Sequence, residues 1–403
     1  MSSPGLSEWR SLRLGDVVTL QRGFDLPKSN RTAGAVPIVS SSGITGSHDQ
    51  ARVEAPAVVT GRYGTLGDVY YLDKPCWPLN TTLYVKDFHG NDPRFCSLLL
   101  ENQKLGTHDG AAAVPGVNRN VLHELPVRIP ALAIQRKIAA VFSAFDSLIE
   151  NNNRRIKLLG EMAQRVYREW CVDLRYPGHA GVPLVHSELG PIPEGWRVCT
   201  LGNICERITD GAHASPPTTK AGPPMGSVKD MRDFGLDLSG CRRISQKDYA
   251  ALVRQNCQPS PGDVLVSKDG AKYLDKVLVV QEETEIVLLS SIAILRPHEG
   301  LPPSFLVLLL KDPETKARLK GRVSGAAIPR VVLKDFETFR VVVPPEGLRD
   351  ELQRVAGDML CCAFRLEAAN RALSGMRGTL LPRVITGEVD ADELGAGLPA
   401  IVL

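Results

Sequence analysis

Residues 131–170 read ALAIQRKIAAVFSAFDSLIENNNRRIKLLGEMAQRVYREW. Within this run Ile138, Phe142, Phe145, Ile149, Asn152, Ile156, Leu159, Ala163, Val166 and Trp170 follow one another at alternating steps of four and three, the beat of a coiled-coil seam. Asn152 is the polar member, and a buried Asn in such a seam sets register or oligomer state at some loss of stability. The helix therefore expects one particular partner. Near the C-terminus Leu352, Val355, Met359, Cys362, Leu366, Ala369, Leu373, Met376 and Leu380 keep the same beat and supply it. The seam is expected to place Ile138, Phe145, Asn152, Leu159 and Val166 against Leu352, Met359, Leu366 and Leu373.

Each helix follows a similar lead-in. Val114-Pro115 and then Leu125, Val127, Ile129 and Pro130 precede the first; Ile328-Pro329 and then Phe339, Val341, Val343 and Pro344 precede the second. Pro115 and Pro329 stand 214 residues apart, as do Pro130 and Pro344. Upstream, Trp9, Leu14, Gly15 and Asp16 match Trp196, Leu201, Gly202 and Asn203, each pair 187 apart. The chain is one unit written twice, a globular block and then a helix. The organisation expected is a first block over residues 1–130, a central helix over 131–174, a Pro- and Gly-rich linker over 175–195, a second block over 196–344, a distal helix over 345–386 and a tail over 387–403.

At 403 residues the chain has room for two cores. Hydrophobic residues make up 43% and charged residues 23%, which excludes wholesale disorder. No apolar run approaches the roughly 18 residues that span a bilayer, and residues 1–8 lack the basic and apolar regions of a signal peptide, so a cytoplasmic protein with no membrane partner is expected. The nine cysteines form no CxxC pair and stand beside no His at zinc-ligand spacing; free thiols and no metal are expected. Forty-eight basic against 45 acidic residues leave a net charge of +3, so a nucleic-acid partner must be held by local basic surface.

In the first block, the polar segment 21–34 carries Arg22, Lys28 and Arg31 among turn formers. The most distinctive piece follows at 57–67, Ala-Val-Val-Thr-Gly-Arg-Tyr-Gly-Thr-Leu-Gly, a strand running into a Gly-rich turn with Arg62, Tyr63 and Gly64 at its tip. Two readings stand: a hairpin turn with a solvated Arg, or a turn whose small residues admit a ligand that Arg62 charges. The second block repeats the pattern at 262–270, with Lys268 and Gly270 each 206 residues beyond Arg62 and Gly64. A cation at this turn in both copies favours a phosphate or base contact. Lys229, Arg232, Lys272, Arg322 and Arg330 extend the candidate surface. His108, alone in the loop 106–114, is assigned no catalytic role.

Signatures of catalysis are missing. There is no G-x-x-x-x-G-K-[ST] loop, and Ser215-Pro216-Pro217-Thr218 lacks both the amide and the aromatic ring of an adenine-methyltransferase tetrapeptide. Asp312, Glu314 and Lys316 superficially resemble a nuclease cluster, but their place at a Pro-containing helix start reads as N-terminal capping.

Three local pieces carry a family resemblance. Residues 187–196, Ser-Glu-Leu-Gly-Pro-Ile-Pro-Glu-Gly-Trp, resemble the entry to the second recognition domain of the DNA-specificity subunits of type I restriction-modification systems; 167–173, Tyr-Arg-Glu-Trp-Cys-Val-Asp, resemble the end of their central helix; and 380–388, Leu-Leu-Pro-Arg-Val-Ile-Thr-Gly-Glu, the end of their distal helix. At the helix starts, where this family often shows Glu-Gln, Gln135 keeps the Gln and Leu348-Arg349-Asp350 keeps neither.

The resemblance implies an α+β protein with two mixed α/β target-recognition domains in tandem, separated by two long antiparallel coiled-coil helices. Each domain would read one half of a bipartite site in double-stranded DNA. It implies a non-catalytic chain whose partners are DNA adenine methyltransferase subunits, two of them, and often a translocating restriction subunit, with S-adenosylmethionine, Mg2+ and ATP held by those partners and no cofactor of its own. A scaffold that binds only polypeptides through the same coiled-coil core is the competing reading, distinguished by its lack of salt-dependent DNA affinity.

A helix over 131–174 is on the order of 60 Å long, comparable to about 18 base pairs. Inserting one heptad is expected to lengthen the unspecified spacer of the DNA target while both half-sites stay unchanged, as read from the methylation motif; an altered half-site would contradict the ruler.

Overall fold

The computed structural model describes residues 9–103, 116–270, 273–322 and 329–389. His108, Lys272, Val114-Pro115, Ile328 and the tail beyond 389 lie outside the described residues. The chain divides into two compact units, residues 1–150 with 372–403 and residues 151–371. The division falls inside both long helices, so each unit holds one globular block and a half of each helix.

In the first unit β1 (Arg10–Arg13) turns into the short helix α1 (Leu14–Val17). Then β2 (Thr19–Arg22), β3 (Val36–Ser40), β4 (Gly43–His48), β5 (Ala57–Gly61), β6 (Val69–Leu72), β7 (Trp77–Pro78) and β8 (Thr82–Asp87) build two sheets. One is antiparallel in the order β2-β8-β5-β6 and the other mixed in the order β4-β3-β7. α2 (Pro93–Asn102) is capped by Asp92, whose carboxylate accepts from Phe95 N at 2.9 Å, and buries Phe95, Cys96, Leu98, Leu99 and Leu100. α3 (Arg119–His123) leads to β9 (Pro126–Ile129), which pairs antiparallel with β1 and closes the block where it began.

α4 (Leu132–Tyr167) starts three residues later. Its Ile138 and Phe142 share one core with Leu14, Leu20, Val58, Leu83 and α2, and with Leu381, Val384 and Ile385 of the C-terminal helix. The start of α4 is held by Gln135, 1% exposed: Asp92 N donates to its Oε1 at 3.0 Å while its Nε2 donates to Asn91 Oδ1 at 2.9 Å and Pro130 O at 3.0 Å. Further along, Phe145 packs on Leu373, and Arg377 forks onto Glu101 at 2.7 and 2.9 Å and reaches Asp146 at 2.8 Å. Ascending numbers on one helix meet descending numbers on the other, so the two halves run antiparallel.

The second unit repeats this plan. After the end of α4, where residues Arg168–Val172 form a π-helical turn, the stretch expected as a plain linker contains a hairpin, β10 (Leu184–Ser187) with β11 (Gly190–Pro193). β12 (Arg197–Thr200), α5 (Leu201–Ile204), β13 (Cys205–Asp210), β14 (Thr219–Gly226), β15 (Arg242–Arg243), α6 (Gln246–Arg254), β16 (Val264–Ser267), β17 (Val277–Val279), β18 (Val287–Leu288) and β19 (Ile292–Pro297) follow. The antiparallel sheet β13-β19-β16-β17 and the mixed sheet β15-β14-β18 reproduce the connectivity of the first unit. α7 (Pro303–Lys311), α8 (Pro313–Lys320) and α9 (Leu333–Glu337) precede β20 (Arg340–Val343), which pairs with β12 as β9 does with β1. Asp312 caps α8, accepting from Glu314 N and Thr315 N, and binds Arg168 at 2.6 Å, the capping role expected for it.

The distal helix is α10 (Glu346–Leu352), a π-helical turn over Gln353–Gly357, and α11 (Asp358–Ile385). It therefore runs past Leu381-Pro382, with Pro382 inside its last turn. The extra residue of a π turn moves every later side chain round the axis. Leu352 and Leu373 are buried and Met359 and Leu366 half-buried, but Ala369 and Met376 face solvent, and Ala356, Leu360, Ala363 and Asn370 turn inward instead. On α4, Ile138, Phe145 and Asn152 are buried and Leu159 and Val166 half-buried, with Tyr167 taking the deepest place at that end.

The displaced seam brings Asn370 to Asn152. Asn152 Nδ2 donates to Asn370 Oδ1 at 2.9 Å, and Asn370 Nδ2 donates to Asn153 Oδ1 at 2.9 Å. Replacing Asn152 by Leu leaves a buried amide short of a partner and is expected to cost about 1–3 kcal/mol in urea unfolding, whereas Asn152→Leu with Asn370→Leu recovers most of that loss. A loss in the double variant equal to the sum of the Asn152→Leu and Asn370→Leu losses would show that the pair is not coupled.

Candidate nucleic-acid interface

The turn singled out in the first block sits at the end of β5, a central strand with all five residues buried. Arg62 N and Tyr63 N both donate to Thr81 O, at 2.9 and 3.2 Å, and Arg62 O accepts from Val117 N at 2.9 Å. Gly64 closes the turn at φ +83°, a conformation that other residues adopt only under strain. The Tyr63 ring lies over Gly116, where a Cβ would stand 2.3 Å from its Cε1. Only glycine leaves that space.

Around the turn lies a hollow of about 420 Å³ lined by Arg22, Arg62, Tyr63, Leu83 and residues 116–119. Three arginines line it: Arg22 at the end of β2, Arg62 at the turn and Arg119 at the start of α3. α3 is tied to β2 because Leu20 N donates to His123 Nε2 at 2.9 Å. Burial, and then the charge of Arg119, hold the His123 imidazole below its ordinary pKa, which keeps that nitrogen free to accept. Arg62 stacks on Tyr63 with its guanidinium carbon 4.6 Å from the ring centre, and Tyr63 is 41% exposed. Among the described residues neither Arg62 nor Arg119 has an acidic partner, and Arg22 reaches only Asp25, at 3.4 Å and in solvent. An exposed aromatic face beside unneutralised guanidinium groups suits phosphate and base contacts.

Of the residues expected here, Arg62, Tyr63 and Gly64 form this site. Lys28 and Arg31 stand on a separate turn and do not line it. Arg119 and Asn118 went unrecognised because nothing local marks them, although the Val-Pro lead-in stands immediately before. Arg22 was visible as a cation, but strand pairing alone brings it to Arg62.

In the second unit the same turn repeats two of these bonds. Lys268 N donates to Ser291 O at 2.9 Å, Lys268 O accepts from Val331 N at 2.8 Å, and Gly270 takes φ +85°. Asp269 bridges Arg330 as Tyr63 bridges Gly116. The side chains differ. Lys268 was expected as a surface cation like Arg62; it is 1% exposed, with Nζ 3.2 Å from Asp210 Oδ2. The other oxygen of Asp210 faces His213 Nε2 at 3.1 Å. Arg330 and Lys229 are exposed, Arg232 binds Asp237 at 2.5 Å, and Arg322 donates to Thr338 Oγ1 at 2.9 Å and to the carbonyls closing α9. The nine cysteines are unbridged, and burial pushes the Cys96 and Cys205 thiols up to about 12, far from thiolate chemistry.

Two copies of one α+β block, each packed on an antiparallel helix pair and each presenting a glycine-closed turn, define the class of duplicated two-block proteins with a paired-helix core. Residues 6–160 match the family described as the type I restriction modification DNA specificity domain. The type I restriction enzyme MjaIX specificity subunit of Methanocaldococcus jannaschii is 23% identical over a match covering 71% of this chain and 65% of that one, so the chain spans about two thirds of the length of that relative. The type I restriction enzyme HindI specificity subunit of Haemophilus influenzae is 21% identical, covering 74% of this chain and 77% of that one. The crystal structure of a type I restriction-modification S subunit from M. genitalium has the same fold, with a TM-score of 0.63 at 16% identity over 95% of this chain and 97% of that one. Residues 6–160 thus carry a type I restriction-modification DNA specificity domain, and the chain as a whole is similar to type I restriction-modification specificity subunits.

Removing one member of a buried ion pair leaves the other charge uncompensated. Lys268→Ala is expected to destabilise the second unit by about 3–5 kcal/mol in denaturant unfolding, and Lys268→Met with Asp210→Asn to restore most of it. A loss below about 1 kcal/mol for Lys268→Ala would mean that the pair behaves as a surface contact.

Proposed function

We propose that this chain is the non-catalytic subunit that gives a type I restriction-modification complex its DNA sequence specificity, each recognition block reading one half of a bipartite site in double-stranded DNA. The observation that carries this reading is the duplication: one chain holds two blocks of identical connectivity, each with a glycine-closed turn at the same place in its central strand. In the first block that turn carries Arg62 and Tyr63 into a basic hollow, chemistry that meets phosphate by charge and bases by stacking. Two DNA adenine methyltransferase subunits act with it and, in a complete complex, a translocating restriction subunit. S-adenosylmethionine, Mg2+ and ATP belong to those partners. Tyr63 can also receive a base that a partner has flipped out of the duplex.

The test is a genome-wide map of N6-methyladenine in the source cell with and without the gene. Deletion is expected to erase methylation at one bipartite motif of fixed spacer, and Arg62→Ala to weaken methylation of that motif with a relaxed requirement at one half-site. A map that deletion leaves unchanged while the methyltransferase is expressed would refute the reading.

A further inference from the structure

The strand registers fix which residues of the two units correspond. Arg22 pairs with Leu83 and Asp210 with Ala293, while the next residue donates to Thr82 O in one unit and to Ile292 O in the other. The turn cations donate to Thr81 O and Ser291 O, one residue earlier in each case. Arg22 therefore corresponds to Asp210 as Arg62 does to Lys268. On the other side of the turn Val117 and Val331 donate to the turn cation's carbonyl, so Asn118 and Arg119 correspond to Val332 and Leu333 at the starts of α3 and α9.

The three cations of the first hollow have thus been replaced one by one. Arg22 becomes a carboxylate, Arg62 becomes a lysine neutralised by that carboxylate, and Arg119 becomes leucine. In the first unit three positive groups share a hollow with no carboxylate among its described lining residues, an arrangement that repels itself until an anion enters. In the second the anion is already there. Asp210 is held from both sides, by Lys268 at 3.2 Å and His213 at 3.1 Å, and drawing Lys268 away would leave its charge buried and unpaired.

We propose that the Arg22, Arg62 and Arg119 hollow takes a backbone phosphate of duplex DNA, and that in the second unit the Asp210 carboxylate occupies the place of that phosphate, so that Lys268 there meets no DNA phosphate. This rests on the DNA-binding reading above and adds to it an inequality between the two blocks. The first block anchors electrostatically at its central turn; the second engages DNA through other surface, such as the exposed Lys229.

The test is the salt dependence of binding of the full chain to mixed-sequence duplex DNA, followed by fluorescence anisotropy between about 50 and 200 mM salt. Removing a side chain that neutralises one phosphate lowers the slope of log K against log salt by about one. Arg62→Ala combined with Arg119→Ala, which removes both guanidinium groups that have no acidic partner, is expected to lower its steepness by about that much and to weaken binding several-fold at the low-salt end. Lys268→Met with Asp210→Asn, in which no buried charge is left unpaired, is expected to keep the wild-type slope; thermal unfolding verifies that it is folded. A double arginine variant with the wild-type slope overturns the phosphate site, and a folded Lys268→Met, Asp210→Asn protein whose slope drops as far overturns the asymmetry. Wild-type protein whose affinity is insensitive to salt defeats the DNA-binding reading itself, and this inference with it.

Discussion

Burial of one apolar stripe along each long helix is the constraint on which the rest of the structure depends. A helix on the order of 60 Å long cannot hold its shape in water by propensity alone; it needs a surface against that stripe. In the first unit Ile138 and Phe142 meet Leu381, Val384 and Ile385, and the same cluster continues through Leu14, Leu20, Val58 and Leu83 into the block. In the second, Ala163 and Tyr167 meet Ala356 and Leu360 within a core that includes Phe305 and Phe336. Helix pair and globular block are therefore not separate modules joined by a hinge. Each block is completed by helix residues that lie far away in sequence.

Polar contacts then select one geometry among those that apolar burial allows. Gln135 ties the first turn of α4 to Asn91, Asp92 and Pro130 by three hydrogen bonds, so the helix leaves the block in one direction. Arg377 joins the two helices of the first unit through Asp146 and the block through Glu101. The Asn152 and Asn370 amides complete each other only in one register. None of these interactions is needed for collapse, and all penalise sliding, since each sliding step would bury an unpaired polar group.

The two blocks show one duplicated scaffold carrying two different side-chain arrangements. Two backbone bonds of the turn are repeated, to the carbonyls of Thr81 and Ser291 and from the amides of Val117 and Val331, because the central strand must end and reverse in the same space. The side chains projecting from it are free of that constraint. One copy presents uncompensated guanidinium groups and an exposed tyrosine; the other folds its charge inward on Asp210.

Much of this was legible in the amino-acid order alone. The four-three beat of residues 138–170, the offsets of 187 and 214, and the glycine-closed turns at 64 and 270 announced a doubled α+β unit with paired helices, because periodicity and glycine placement are local properties. The tertiary structure decided what depends on partners distant in sequence. The π turn over Gln353–Gly357 rotated the distal stripe, so Asn370 rather than Ala369 met Asn152. The 175–195 stretch held a hairpin that its prolines and glycines concealed. Arg119 joined Arg62 only through pairing of strands and the His123 anchor, and Lys268, equivalent to Arg62 in position, became an internal charge because β13, on the far side of β19, carries Asp210 where β2 of the first copy carries Arg22. Sequence reports which charge a residue has; whether that charge meets solvent or a counter-charge is settled by the order of strands in the sheet.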